Sequence, residues 1–206
     1  MRTGVGAAAL GAVTLLAMGP GAGSSAAATA RTWTVRPGGA VAAKGKATLA
    51  DPRTDAALTC APATMTGTLK AGAGLPGAGI GSVTAVAFTC HTLLPVQLTA
   101  AGLPWRLDLS GYDRRTGVAR GTISHVRLAF SGPACRAVVN GTSGTAADGV
   151  VAVSYAGQTG KLKILPAGGG LHWYHVRGCA GLFGDGAPAV LTGAYAISPP
   201  QVITSP

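Results

Sequence analysis

Glycine and proline interrupt this chain so often that a helix has almost nowhere to form. Beyond residue 30, the longest stretch free of both is Ser82 to Leu94, 13 residues. Glycine inside a helix costs about 1 kcal/mol against alanine, and proline about 3 kcal/mol. The uninterrupted stretch is itself suited to strand, because Val83, Thr84, Val86, Phe88, Thr89 and Thr92 are β-branched or aromatic. Composition agrees. With 48% hydrophobic and 11% charged residues the chain is too apolar for disorder. With no glutamate at all it is no coiled coil or helical bundle.

Strands are placed by alternation and punctuation. Thr32 to Val35 alternates and meets the turn Pro37-Gly38-Gly39. Lys46 to Ala50 and Ala57 to Cys60 flank the turn Asp51 to Asp55, and Met65 to Lys70 follows. Ala71 to Gly79 reads as a Gly/Ala/Pro loop before the long strand Ile80 to Cys90. Val96 to Ala100, Trp105 to Ser110, Val118 to Phe130 and Cys135 to Val139 continue the series. Val150 to Tyr155, Lys161 to Leu165, Leu171 to Arg177 and Val190 to Ile197 complete it. Turn clusters recurring at roughly ten-residue intervals predict an antiparallel sandwich or closed barrel. Asn140-Gly141 and Asp148-Gly149 have hairpin-turn chemistry. No linker divides the series, so residues 31–206 read as a single β domain.

Residues 1–30 read as a secretory signal peptide. Arg2 precedes the apolar run Val5 to Met18, and Ala28-Thr29-Ala30 offers small residues for cleavage. That run is 14 residues, against the 20 or so that a transmembrane helix needs. No later stretch is long enough to span. The expected product is secreted and extracellular. Cys60, Cys90, Cys135 and Cys179 then read as two disulfides, with three pairings open. Neighbours along the chain, Cys60 with Cys90 and Cys135 with Cys179, are the expected pairs. A zinc site fails on spacing, since no two cysteines are two to four residues apart.

Candidate chemistry is thin. All six acidic residues are aspartate. Asp51, Asp55, Asp113, Asp148 and Asp185 fall in turn clusters, where aspartate bonds its own backbone. Asp108 lies on a strand, two residues from Arg106 on the same face. That leaves no carboxylate pair for glycoside chemistry. His172 and His175 would point to opposite faces of a strand, and His91 and His125 are isolated, so no metal is expected. Gly141-Thr142-Ser143-Gly144-Thr145 approaches a nucleophile motif but ends in threonine.

The formal charge of +10 is the most informative feature. Arg106, Arg114, Arg115, Arg120, Arg127 and Arg136 concentrate it between residues 106 and 136, against Asp108 and Asp113. Arginine beside aromatic residues can hold anionic groups; the competing and favoured reading is charge that serves solubility alone. The candidate binding residues are therefore Trp105, Tyr112, Arg114 and Arg115, together with Trp173, Tyr174 and His175. For Trp105 and Trp173 the competing reading is burial in the core.

Several short segments carry a resemblance. They are Trp33-Thr34-Val35-Arg36-Pro37-Gly38-Gly39, Leu58-Thr59-Cys60, Phe88-Thr89-Cys90, Leu103-Pro104-Trp105 and Gly178-Cys179-Ala180-Gly181-Leu182. Thr116-Gly117 with Gly121-Thr122-Ile123, Gly184-Asp185, and Tyr195-Ala196-Ile197-Ser198-Pro199 join them. With these the chain resembles a group of exported actinobacterial proteins, frequent in streptomycetes, of unknown function. The resemblance implies secretion and a disulfide-bonded β protein. It implies no activity and no site residues.

The expected function is a non-catalytic extracellular binding or structural module, needing no cofactor. Its expected partner is an anionic surface polymer or another extracellular protein, not a specific nucleic acid. The alternatives are a hydrolase assembled from distant His, Asp and Ser, or an inhibitor presenting the loop Ala71 to Gly79.

Overall fold

The computed structural model describes residues 31–206 apart from Leu93 and Leu94. The stretch read as a leader lies outside the described residues. The strands are β1 (Thr32–Arg36), β2 (Gly39–Asp51), β3 (Ala56–Leu69), β4 (Gly72–Pro76), β5 (Gly81–Cys90), β6 (Gln97–Ala101) and β7 (Trp105–Asp113). After them come β8 (Val118–Ser131), β9 (Arg136–Asn140), β10 (Gly149–Ala156), β11 (Lys161–Ile164), β12 (His172–Arg177), β13 (Val190–Ser198) and β14 (Val202–Thr204).

Pairing closes the sheet on itself. β2, β3 and β5 pair in succession. β6 and β7 then lie end to end as one interrupted stave, each between β5 and β8. β9 and β10 share the other edge of β8 in the same way. β11 pairs β10, and β12 pairs β9. Residues 186–189 bond along β12 and run into β13, which pairs both β11 and β2. The result is a closed antiparallel barrel of eight staves, each beside its neighbours in sequence. Closure leaves no free sheet edge. Of the two architectures that the punctuation allows, the barrel is the one formed.

Inward positions follow the alternation. Leu49, Ile123, Leu128, Val139, Val151, Val153 and Leu191 are all buried in the main core. An eight-stave barrel leaves an interior just wide enough to be filled by side chains, and bending its staves brings backbone close to backbone. A Cβ on Gly45 would lie 1.9 Å from the Ala194 carbonyl oxygen, and one on Gly121 the same distance from that of Asp108. Only glycine fits such corners.

Each end is closed differently. At one end β14, β1 and β4 form a small separate sheet. It buries Trp33, Val35 and Ile203 against Leu109, Ala119 and Tyr155 of the staves. Two of these strands were not legible. β4 lies inside the stretch read as loop, and β14 in a terminal stretch with no strand assigned. At the other end residues 178–185 cross the mouth. Phe183 stacks on Trp173 at 4.1 Å and meets Phe130 edge-on. The Trp173 Nε1 is the one fully buried side-chain polar atom without a partner among the described residues.

The cysteines pair as expected, Cys60 with Cys90 and Cys135 with Cys179. The first links register partners of β3 and β5. Both disulfides fit an oxidising compartment. The sequence pattern broke β3 at Ala61-Pro62-Ala63. The strand instead continues through a register shift between Cys60 and Ala63, an irregularity at which proline is tolerated.

Two changes test this account. Gly121→Ala should lower stability by about 2 kcal/mol through overpacking, whereas Gly170→Ala, where a Cβ meets nothing within 4 Å, should be close to neutral in urea unfolding. Replacing both Cys60 and Cys90 by serine should cost about 3 kcal/mol in the chain-entropy description, read in the same experiment.

Candidate functional site

An apolar cavity of about 80 Å³ lies at the end covered by the small sheet, lined among others by Val41, Ala43, Met65, Leu107, Ala119 and Val153. Ligand pockets for drug-sized molecules run from about 300 Å³ upward. The polar groups beside the cavity are already engaged. The Tyr155 hydroxyl donates to the Gln201 carbonyl at 2.8 Å and accepts from its N–H at 2.9 Å. The Gln201 side chain accepts from Gly38 N–H and donates to the Pro199 carbonyl, each at 2.9 Å. Burial also raises the Tyr155 phenol above its ordinary value, and pushes the Tyr195 phenol up to about 12.

The candidate binding residues separate. Trp105 is buried at 3% exposure, its Nε1 donating to the Ala101 carbonyl at 2.9 Å. Trp173 is buried completely. Burial removes both from any outer surface and corrects their place in a binding face. Tyr112 packs edge-on against Trp33 at 6.3 Å, and Arg114 and Arg115 are exposed in the β7–β8 turn. Tyr174 and His175 lie on β12, at the opposite end of the barrel, so the seven residues do not form one face.

Tyr174 and His175 instead meet the loop 141–148. The Tyr174 hydroxyl donates to the Gly141 carbonyl at 3.0 Å, and His172 Nδ1 lies 3.1 Å from the same oxygen. The His175 ring packs against Gly144, too close for a Cβ there. A register shift between Tyr174 and Arg177, with His175 at φ +53°, breaks the simple alternation. Both histidines therefore reach one loop instead of diverging. Asn140-Gly141 and Asp148-Gly149 are not two hairpin turns but the two sides of this loop's neck. The buried Asn140 donates to the Ser143 and Ala146 carbonyls. Asp148 accepts from Gly141 N–H at 3.1 Å, Thr142 N–H at 3.0 Å and the Thr142 hydroxyl. Among the described residues no hydrogen bond joins a histidine to an aspartate or a serine, the contact a hydrolase of this type would require. Nor do three His, Cys, Asp or Glu side chains among them converge as metal ligands.

The basic segment is dispersed by the barrel. Arg106 pairs with Asp108 at 2.7 Å. Arg127 donates to the Thr145 and Gly144 carbonyls and straps the loop. Arg120 lies by Asp113, whose carboxyl is held below its ordinary value first by the Thr116 hydroxyl, then by the Arg115 and Thr116 N–H groups, and least by Arg120. A different cationic surface forms that no sequence cluster announces. Register places Lys163 opposite Ala194 and Ala194 opposite Lys46; Lys161, Ala196 and Lys44 make the next row. All six side chains are exposed. Strand spacing sets the lysines about 10 Å apart across the sheet and about 7 Å apart along it. The only acid on β2, β8, β10, β11 or β13 is Asp51, which is buried and accepts from Arg53 and Gly184 N–H. No protein family, curated protein or solved structure matches this chain.

The loop neck can be tested by pH. The Thr142 hydroxyl first, then the Thr142 and Gly141 N–H groups, hold the Asp148 carboxyl below its ordinary 3.8 against the opposing effect of burial. A depressed value means the stabilisation is complete above 3.8 and is lost as pH falls through the lower folded value. Gly141 and Thr142 amide resonances should shift only below pH 3.8, and Asp148→Asn should abolish that transition. Midpoints at or above 3.8 in the wild type would refute the bonding.

Proposed function

We propose that this protein is a secreted, non-catalytic β-barrel module that binds an anionic extracellular polymer through its lysine face. The single observation that carries the reading is the Lys44, Lys46, Lys161, Lys163 array on staves whose only acid is buried. Lysine is a compact point charge on a flexible stem, suited to a charged chain rather than to one fixed headgroup. The residues between the rows are Ala194 and Ala196. They leave nothing large and apolar to insert into a lipid layer, which favours a soluble linear polyanion over a membrane. Secretion itself belongs to the proposal. It is supported by the leader-like residues 1–30, the resemblance to exported actinobacterial proteins, and the disulfides.

The test is binding of long-chain inorganic polyphosphate over a salt series. Affinity should fall steeply with salt. The K44Q/K46Q/K161Q/K163Q variant should reduce the slope of log affinity against log salt by roughly 3, because each phosphate neutralised on a flexible strand accounts for about 0.7. A control, R31Q/R53Q/R114Q/R115Q, removes the same net charge away from these staves. Equal losses in both variants would reduce the effect to net charge and refute the lysine face.

A further inference from the structure

We propose a second, independent site on the outer wall at the disulfide end: an oxyanion site for a phosphate group between Arg136 and Arg177. The two arginines are direct register partners on β9 and β12, and both are exposed. Like charges directly opposite one another on paired strands destabilise the sheet. Neither forms an ion pair with a carboxylate. Among the described residues the only ion pair is Arg106 with Asp108. Asp185, in the crossing segment, accepts the Val176 N–H at 3.2 Å and so sets its charge beside the Arg177 backbone without pairing with the guanidinium.

Three further features converge on the same spot. Arg136, Arg177, His175 and Ser131 line one shallow depression of about 770 Å³. Ser131 is the register partner of Arg136 on β8, so a hydroxyl flanks the guanidinium pair. His175 is brought to the rim by the bulge in β12, in a left-handed conformation uncommon for a non-glycine residue. Bulges next to functional sites re-aim side chains in this way.

The covalent frame holds the arrangement against its own repulsion. The Cys135–Cys179 disulfide ties the residue before Arg136 to the second residue after Arg177. Between them Gly178, at φ +67°, passes so close to the Ala134 carbonyl that a Cβ would lie 1.8 Å from its oxygen. Two strands locked together hold the two unpaired arginines side by side, where their guanidinium groups can close on a tetrahedral oxyanion. Arginine provides the planar donors that phosphate recognition uses.

The phosphate could be free or part of a phosphodiester, and two probes separate the cases. Inorganic phosphate and dimethyl phosphate would each be titrated into the protein in about 0.1 M chloride, following the Ser131, Arg136 and Arg177 amides. Saturable shifts with inorganic phosphate alone assign a free or terminal phosphate; shifts with both assign an internal diester as well. Arg136→Gln or Arg177→Gln should weaken binding about tenfold or more, as losing a charge-assisted hydrogen bond does. Without phosphate, each variant should melt no lower than the wild type, because the repulsion is relieved. With phosphate, only the wild type should gain in Tm. The K44Q/K46Q/K161Q/K163Q variant should bind these probes unchanged, so failure of the lysine face leaves this site standing. No saturable shift with either probe, or wild-type affinity in Arg136→Gln, would overturn it.

Discussion

Closure of the backbone hydrogen-bond ladder is the constraint from which the rest of this structure follows. Each of the eight staves has a neighbour on both sides, so the barrel sheet has no edge to offer another chain, and only the small sheet ends in edge strands, β14 and β4. Closing the sheet fixes the register of every stave against the next. Register in turn decides which side chain faces in, because a slip of one residue would turn a whole stave inside out. The glycines that exclude helix have a second role here. Those at corners such as Gly45 and Gly121 let one stave press against the next, where any Cβ would collide with a carbonyl.

The same register places the surface charges. Residues two apart in sequence lie about 7 Å apart on a strand, while outward residues on neighbouring staves are about 5 Å apart. Surface patches on a barrel therefore assemble mostly across the chain, not along it. The arginines between residues 106 and 136 illustrate the point. They are close in sequence, yet Arg106 goes to an ion pair, Arg127 to a loop strap, Arg115 to a turn and Arg136 to a facing arginine. The lysine array shows the converse, joining positions 44 and 46 to positions 161 and 163 through two alanines of β13.

Local chemistry was legible in the sequence and long-range closure was not. Alternation marked the cores of the barrel staves, and neighbour order along the chain gave both disulfides. β1 could be read from Thr32 to Val35, but its partners β4 and β14 could not. Gly72 to Pro76 has the composition of a loop, and it becomes a strand only because Trp33 and Val35 need a partner at the barrel mouth. Loop 141–148 failed for a related reason. Asn140-Gly141 and Asp148-Gly149 each satisfy hairpin chemistry locally, but β9 and β10 run in the same direction along one edge of β8, so neither pair reverses the chain.

The acidic residues explain why the charge surplus stays uncompensated. Asp51, Asp108, Asp113, Asp148 and Asp185 each accept at least one backbone N–H. These carboxylates hold turns, a loop neck and the crossing segment in place, as short aspartate side chains do well and longer glutamates do less well. Only Asp108 also pairs with a cation. A chain with 16 basic and 6 acidic residues thus directs its negative charge at its own backbone and leaves its lysines and most of its arginines facing solvent. Strengthening the fold with aspartate and exposing cations on the wall are, in this barrel, one arrangement.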